Sequence, residues 1–349
     1  MTASWAGRLL PAVLAVGVAV LASAAVIAAA GHNPVVAFGA LIQGAFGSLD
    51  SLSEVGVKTC PLLLTGLAIA VSFQAGVWNI GVEGQLLMGA LTLAALGTRT
   101  LPLPGALALP LYLLAGAGTG ALWAGLAAAL KLRRNVNEVI STIMLNFIAL
   151  GVISYLVQGP LMEAAGRYPQ TDAVAAQLWL PRLVRGYRVH LGLVLALLSA
   201  AGVHVLLYRT VIGYEMRAAG LNPAAARLAG IDVERRILLA LLVSGALAGL
   251  AGAVEVSGIT HRLYERFSPG WGFTAIAVGL LGRLSPAGVV LAAFLFGALD
   301  AGSNSMQRVA GVSSVLVLVI QAVVILSLVA IERGAWLPTG KAAAGSPGT

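Results

Sequence analysis

Apolar residues in this chain do not alternate with polar ones, and they do not trace single helical stripes; they come in long blocks. The blocks run over about 9–30, 59–73, 84–96, 106–130, 139–157, 191–208, 237–257, 272–281, 288–301 and 313–331. A spanning helix needs about 20 apolar residues, a figure that tilt or a break relaxes. The pattern predicts an all-α polytopic membrane protein of about ten transmembrane helices, since the alternation of a membrane β-barrel is missing. The first block is longer than the roughly 7–15 apolar residues of a secretory signal core, so it reads as a retained helix. Three blocks are short: 59–73, 84–96 and 272–281. The first two flank a linker over 74–83, and the third runs into 282–288; both linkers carry glycines and a charge. Short, interrupted segments at corresponding places in two halves mark an internally repeated transporter fold. Segments 2–5 and 7–10 would be the repeats, inverted relative to one another. Two tight glycine-containing hairpins are the plainer reading of the same pattern.

Composition sharpens the class. The 349 residues are 59% hydrophobic and 10% charged, against roughly 25% charged in a soluble domain. Such a chain could not cover a water-facing surface. The formal charge of +8 does not imply nucleic acid, because no basic run is interleaved with aromatic residues. Basic residues instead set direction: cytoplasmic loops favour Lys and Arg. Placing both termini in the cytoplasm puts Lys131, Arg133, Arg134, Arg209, Arg217, Arg227, Arg235 and Arg236 on that side, together with Arg8, Arg283, Arg333 and Lys341. Residues 1–335 then form one transmembrane domain, and 336–349, rich in Gly, Ala and Pro around Lys341, reads as a disordered cytoplasmic tail. The single cysteine, Cys60, excludes an intramolecular disulfide and suits a small buried position.

No catalytic or metal-ligating constellation emerges. H-E-x-x-H, C-x-x-C and G-x-S-x-G are absent, and His32, His190, His204 and His261 are scattered. No phosphate-binding loop is present, so any ATP that drives this protein must be hydrolysed by another subunit. Gly116-x-x-x-Gly120 and Gly245-x-x-x-Gly249 suit close helix packing in lipid. Charges within spans cost roughly 2.5–3.5 kcal/mol on insertion scales, which singles out Glu83, Glu138, Glu255 and Asp300. Glu138 follows Asn135-Val136-Asn137 and suits a helix start. Asn79, Gln85, Thr142 and Asn146 either face a pathway or hydrogen-bond between helices. In the loop over 209–236, Asn222 as N-cap and Pro223 as first helical residue predict a short helix over 223–229. Arg217 and Arg227 on that loop suit an acidic partner or lipid headgroups.

At these residues the chain resembles the permease subunits of bacterial ATP-binding-cassette importers of the branched-chain amino acid, simple sugar and nucleoside superfamily. The matching pieces are Asn79-Ile80-Gly81-Val82-Glu83-Gly84-Gln85 with Met88-Gly89-Ala90, Asn137-Glu138-Val139-Ile140 with Thr142-Ile143-Met144-Leu145-Asn146, and Gly159-Pro160-Leu161. Further matches lie in Ala218-Ala219-Gly220, Asn222-Pro223, Ala225-Ala226 and Gly230-Ile231, and in Gly272-Phe273, Ile276-Ala277-Val278 and Gly282-Arg283. The first two blocks look like the nucleoside branch. The chain departs from the family pattern at Leu228, where an aromatic is common, and at Ser285, where asparagine is common.

The resemblance implies a multi-pass protein of the bacterial cytoplasmic (inner) membrane that translocates nucleosides or related purine and ribose-like solutes by alternating access. It implies three partners: a cytoplasmic ATPase, a second related permease and an extracytoplasmic substrate-binding protein. It casts Arg217, Ala218, Ala219, Gly220, Asn222, Pro223, Ala225, Ala226 and Gly230 as the ATPase-coupling segment. It places Asn79, Glu83, Gln85, Asn146 and Phe273 along the substrate pathway. The competing class is an ion- or proton-coupled secondary transporter with Glu83 and Asp300 as relays.

Overall fold

A computed structural model describes residues 17–18, 20–98 and 104–313, with a few positions between 316 and 323. Arg8, Arg99, most of the last apolar block and the tail over 336–349 lie outside the described residues. The chain divides into two compact units, residues 1–44 with 302–349, and residues 45–301. In the first, α1 (Val20–Ala29) meets α2 (Pro34–Phe46) at a bend of 119°. The second holds α3 (Leu49–Gln74), α4 (Val82–Gly97), α5 (Gly105–Arg134), α6 (Glu138–Gln158), α7 (Gly192–Arg209), α8 (Val211–Leu221), α9 (Pro223–Leu228), α10 (Val233–Glu255), α11 (Trp271–Leu281) and most of α12 (Pro286–Ala310). Among the described residues the only β contacts are isolated bridges, Gln170–Tyr264 and Arg182–His190.

The described residues hold fewer spans than the ten expected: among them, six helices are long and apolar enough to cross a bilayer, namely α3, α5, α6, α7, the α10 segment continued to Thr260, and α12, with α1 and α2 together a seventh if the bent pair is one span. The blocks over 84–96 and 272–281 form α4 and α11, of 16 and 11 residues. At 1.5 Å per residue these reach only about 24 and 17 Å, short of a hydrocarbon core of about 30 Å. The block over 59–73, by contrast, is not short. Ser48 caps α3 by accepting from the Ser51 N–H, so the helix starts ten residues earlier than its apolar run. Asp50, Ser51, Ser53, Glu54 and Lys58 look like loop in sequence, yet Glu54 pairs with Arg188 at 3.0 Å and Lys58 with Asp300 at 3.3 Å. The resulting helix is central: 89% of its apolar window is buried, against 28–33% for α5, α6 and α7, whose outer faces suit lipid.

The two small-residue motifs pack against each other. Gly116 lies against Gly249, and Gly120 against Gly245 and Gly249, so α5 and α10 cross backbone to backbone. Gly89 of α4 and Gly252 of α10 bring the third helix equally close. Van der Waals contact and carbonyl proximity, rather than hydrophobic exclusion, hold helices together in lipid.

The segment over 159–191 is a built cap. Thr171 and Val174 donate to the Leu263 and His261 carbonyls at 2.8 and 2.9 Å, Leu180 donates to Ser257 at 2.9 Å, and Trp179 stacks on His261 at 4.0 Å. Glu163 accepts from Gln170, Tyr168 and Arg262, and the Gln170 bond foremost holds its carboxyl below the usual range. His190 is 1% exposed, and its Nδ1 accepts from the Gly192 N–H at 3.1 Å. Burial, with His261 and Arg188 adding to it, pushes the imidazole down to about 4. Between the unfolded value near 6.5 and about 4, the unfolded chain carries a proton that the folded chain does not. Stability therefore falls with pH through that window, by about 1.4 kcal/mol per pH unit for this group. Thermal unfolding of the detergent-purified chain is expected at a lower temperature at pH 5 than at pH 7.5. His190→Gln should flatten that dependence.

Candidate functional site

Two breaks in the helical pattern shape the interior. After Gln74 the chain turns back into the protein over 75–81, and α4 starts from inside. After α10 a π-turn (Val256–Thr260) leads into an irregular stretch over 261–270, and α11 also starts from inside. The 282–288 linker after α11 is a tight turn, with Arg283 and Leu284 at φ 51 and 55.

The N-termini of α4 and α11 meet. Glu83, in the first turn of α4, accepts from the Gly272 N–H at 2.7 Å, and the Ser268 hydroxyl also bonds its carboxylate. Each helix start carries partial positive charge and free N–H groups, so one carboxylate serves two dipole ends. The helices leave this junction in opposite directions. Gly97 at the end of α4 packs on Val174 and Leu178, while α11 runs beside α3 with Gly279 on Ile69.

A polar web secures the re-entrant loop. Asn79 and Gln85 exchange two amide bonds at 3.0 Å, and Asn79 donates to Ser244 at 2.9 Å, whose hydroxyl donates to the Ala68 carbonyl at 2.7 Å. Asn146 accepts from the Gly84 N–H at 2.8 Å and donates to the Ile80 carbonyl at 2.9 Å, and Thr142 accepts from the Ile80 N–H at 3.3 Å. Irregular backbone at this depth needs such partners, because lipid and apolar side chains offer none. Of the residues expected along a pathway, Asn79, Glu83, Gln85 and Asn146 come together here, each at most 3% exposed; Phe273, on the first turn of α11, is 49% exposed. Sequence reading missed Ser244, Ser268 and the Gly272 amide. A lone serine inside a small-residue run gave Ser244 little signal.

Glu138 pairs with Lys131 at 2.8 Å, joining the end of α5 to the start of α6. Glu255 lies elsewhere, in the wall of a cavity of about 330 Å³ beneath the 159–191 cap, with Lys58, Arg188, Tyr264 and Trp271. Among the described residues no group of three or more His, Cys, Asp or Glu is placed to hold a metal ion.

At the opposite end, the loop over 209–236 forms two helices where one was expected. Thr210 caps α8 through the Gly213 N–H, and α8 runs on to Leu221 before Asn222 caps α9 through the Ala224 and Ala225 N–H groups at 3.1 Å. Gly230, at φ 81, closes α9: its N–H donates to the Arg227 carbonyl, and that of Ile231 to Ala226, both at 3.0 Å. The expected coupling residues divide. Ala219 and Ala226 are buried against Val233, and Arg217, Ala218 and Gly220 are half-buried. Arg217 lies over the Tyr208 ring at 4.8 Å, and Gly220 touches the backbone of Gln74, Ala75 and Gly76. Asn222, Pro223, Ala225 and Gly230 are exposed. Leu221, the last residue of α8, and Leu228, the last of α9, are 89% and 92% exposed, an apolar pair at the surface.

Two short helices thus start in the interior, a cavity lies toward one end, and the loop carrying α8 and α9 stands at the other. A glucose ABC transporter permease protein of Haloferax volcanii is 38% identical over 93% of this chain and 90% of its own length. A guanosine ABC transporter permease protein of Bacillus subtilis is 36% identical over 91% and 92%, and a nucleoside ABC transporter permease protein of Lactococcus lactis subsp. cremoris 31% over 91% and 90%. No solved structure matches the chain. The model of the branched-chain amino acid transport system / permease component family matches residues 51–329, and the chain belongs to that family of multi-pass membrane proteins, which are transport subunits and not enzymes.

Proposed function

We propose that this chain is the membrane-spanning permease of an ATP-driven importer of nucleosides or related purine, ribose-like or sugar solutes, working by alternating access. The carrying observation is the α8–α9 pair: rooted on Gln74–Gly76 through Gly220 and with α9 capped at both ends, it presents Leu221 at the end of α8 and Leu228 and Arg227 of α9 outward. A fixed helix with two large exposed apolar side chains suits a groove on a cytoplasmic ATPase. A second related permease completes the pathway, and an extracytoplasmic binding protein delivers solute at the cavity end. On this reading both termini are cytoplasmic, the α3–α4 and α10–α11 breaks are the inverted repeat, and Asn79, Glu83, Gln85, Asn146 and Phe273 govern passage through the junction. The relatives named for guanosine, nucleoside and glucose transport support a solute that carries a sugar ring. A proton-relay role for Glu83 and Asp300 finds less support, since Glu83 is engaged by two helix starts and Asp300 by Lys58.

The test is Leu228→Glu with Leu221→Glu in the chain co-expressed with its ATPase, second permease and binding protein. Burial of two such anchors is a hot-spot contribution of about 2 kcal/mol or more, so association should weaken about thirtyfold. Solute-stimulated ATP hydrolysis is expected to fall to its unstimulated level while the chain remains in the membrane. Unchanged stimulation would reject α9 as the docking element. Substitution of Gly220 is a poor probe, because any side chain there strikes the Gln74 backbone and disturbs the root of the loop.

A further inference from the structure

We infer that the cavity beneath the 159–191 cap binds the vicinal hydroxyls of a sugar ring, with the Glu255 carboxylate as their acceptor. The site is built by the break in α10: directly after Glu255 the helix widens into the π-turn Val256–Thr260, a distortion that recurs at functional sites. Glu255 is 5% exposed, and among the described residues no hydrogen-bond or ion-pair partner engages its carboxylate. Its neighbours in the wall are already used, Lys58 by Asp300 and Arg188 by Glu54. The carboxylate faces the cavity near Lys58 and Arg188 as an acceptor with no donor bound to it, and a pair of solute hydroxyls supplies the donors.

The rest of the wall selects the class. Tyr264, Phe267 and Trp271 form an edge-to-face aromatic series, with Phe267 and Trp271 at 6.2 Å and 83°; the latter two are buried, and Tyr264, 37% exposed, is the ring open to a sugar or a base. The Trp271 indole N–H is buried and has no acceptor among the described residues. Because the Lys58 and Arg188 charges are paired, and Arg266 stands exposed at the rim, the wall offers no concentrated positive field for a phosphate. A volume of about 330 Å³ lies at the lower end of the range for small-molecule sites, suiting a monosaccharide or a nucleoside.

This inference rests on the import reading above, and its test separates the two. Thermal unfolding of the full-length purified chain is followed with guanosine, 2′,3′-dideoxyguanosine, glucose and leucine as probes. Guanosine or glucose, whichever is the source of the ring, is expected to stabilise the wild type, with the dideoxy analogue at least tenfold weaker than guanosine if guanosine is the one. Glu255→Gln should weaken the bound probe about tenfold and erase discrimination against the dideoxy analogue, Glu255→Asp should restore part of it, and Trp271→Phe should weaken binding by a smaller factor. Equal binding by wild type and E255Q overturns the assignment, as does stabilisation by leucine alone or by none of the probes. If E255Q fails to accumulate, W271F decides, with unchanged binding counting against the site. Uptake by the assembled wild-type complex judges the import reading independently of these results.

Discussion

Gly249→Val is expected to remove the folded protein from the membrane fraction. A β-carbon at Gly249 meets the Gly116 carbonyl and lies 2.9 Å from the Gly120 Cα, so backbone, not a movable side chain, stands in the way. Gly89 packs on the Gly249 backbone, so one substitution drives α4, α5 and α10 apart together. Overpacking in a well-packed core costs about 1–3 kcal/mol when neighbours can adjust; here they cannot, and a cost above about 3 kcal/mol would consume much of a marginal stability of about 5–15 kcal/mol. Size-exclusion chromatography of the detergent-extracted protein reads the outcome as loss of the monodisperse peak. Gly118→Ala and Gly151→Ala, where no atom lies within 4 Å of the added carbon, should leave the peak unchanged.

Glu83→Ala should be the most damaging change at the centre. It leaves the Gly272 N–H without its acceptor, removes the Ser268 contact and strips the compensating charge from two helix starts at once. Losing a charge-assisted bond and exposing buried donors should cost about 2–4 kcal/mol. Thermal unfolding of the purified chain should register that loss, and uptake by the assembled complex should fall at least tenfold. Glu83→Gln keeps a carbonyl oxygen for Gly272 but not the charge, and should sit between wild type and E83A. Equal stability of all three proteins would reject the junction as a structural clasp.

Much of this architecture is legible in the sequence, and the reasons for what is not are physical. Apolar runs locate α5, α6, α7 and α10 within a few residues, because lipid-facing helices must be apolar along their length. The start of α3 escapes that logic: Glu54 and Lys58 look like loop until their partners Arg188 and Asp300, far along the chain, are known. Asn222 and Pro223 start α9 as expected, since capping is local; α8 has its own local cap at Thr210, while the packing of its Gly220 on the α3 terminus joins residues far apart in sequence. Short blocks at 84–96 and 272–281 mark the half-helices correctly. The irregular stretch over 261–270 before α11 has ordinary loop composition, and the apolar pattern does not mark it. Asn79, Gln85 and Asn146 announce themselves as polar groups among apolar ones; the bonding of Asn79 with Gln85, the ties of Asn146 to the re-entrant backbone, and the place of Glu255 in a cavity wall emerge only in three dimensions.

The contact between Gly76 and Gly220 bears on how work moves through the molecule. Gly76, at φ 75, and Gly220 meet through main-chain atoms, with no side chain between them to rotate or compress. Three residues beyond Gly76 stands Asn79, tied to Ser244 and Gln85. On the docking reading proposed above, a force applied at α9 would enter a linkage with little slack, because the contact at its root is made by main-chain atoms and not by side chains that can rotate. Soft side-chain joints would dissipate a short stroke; a joint of this kind would pass it toward the half-helix junction.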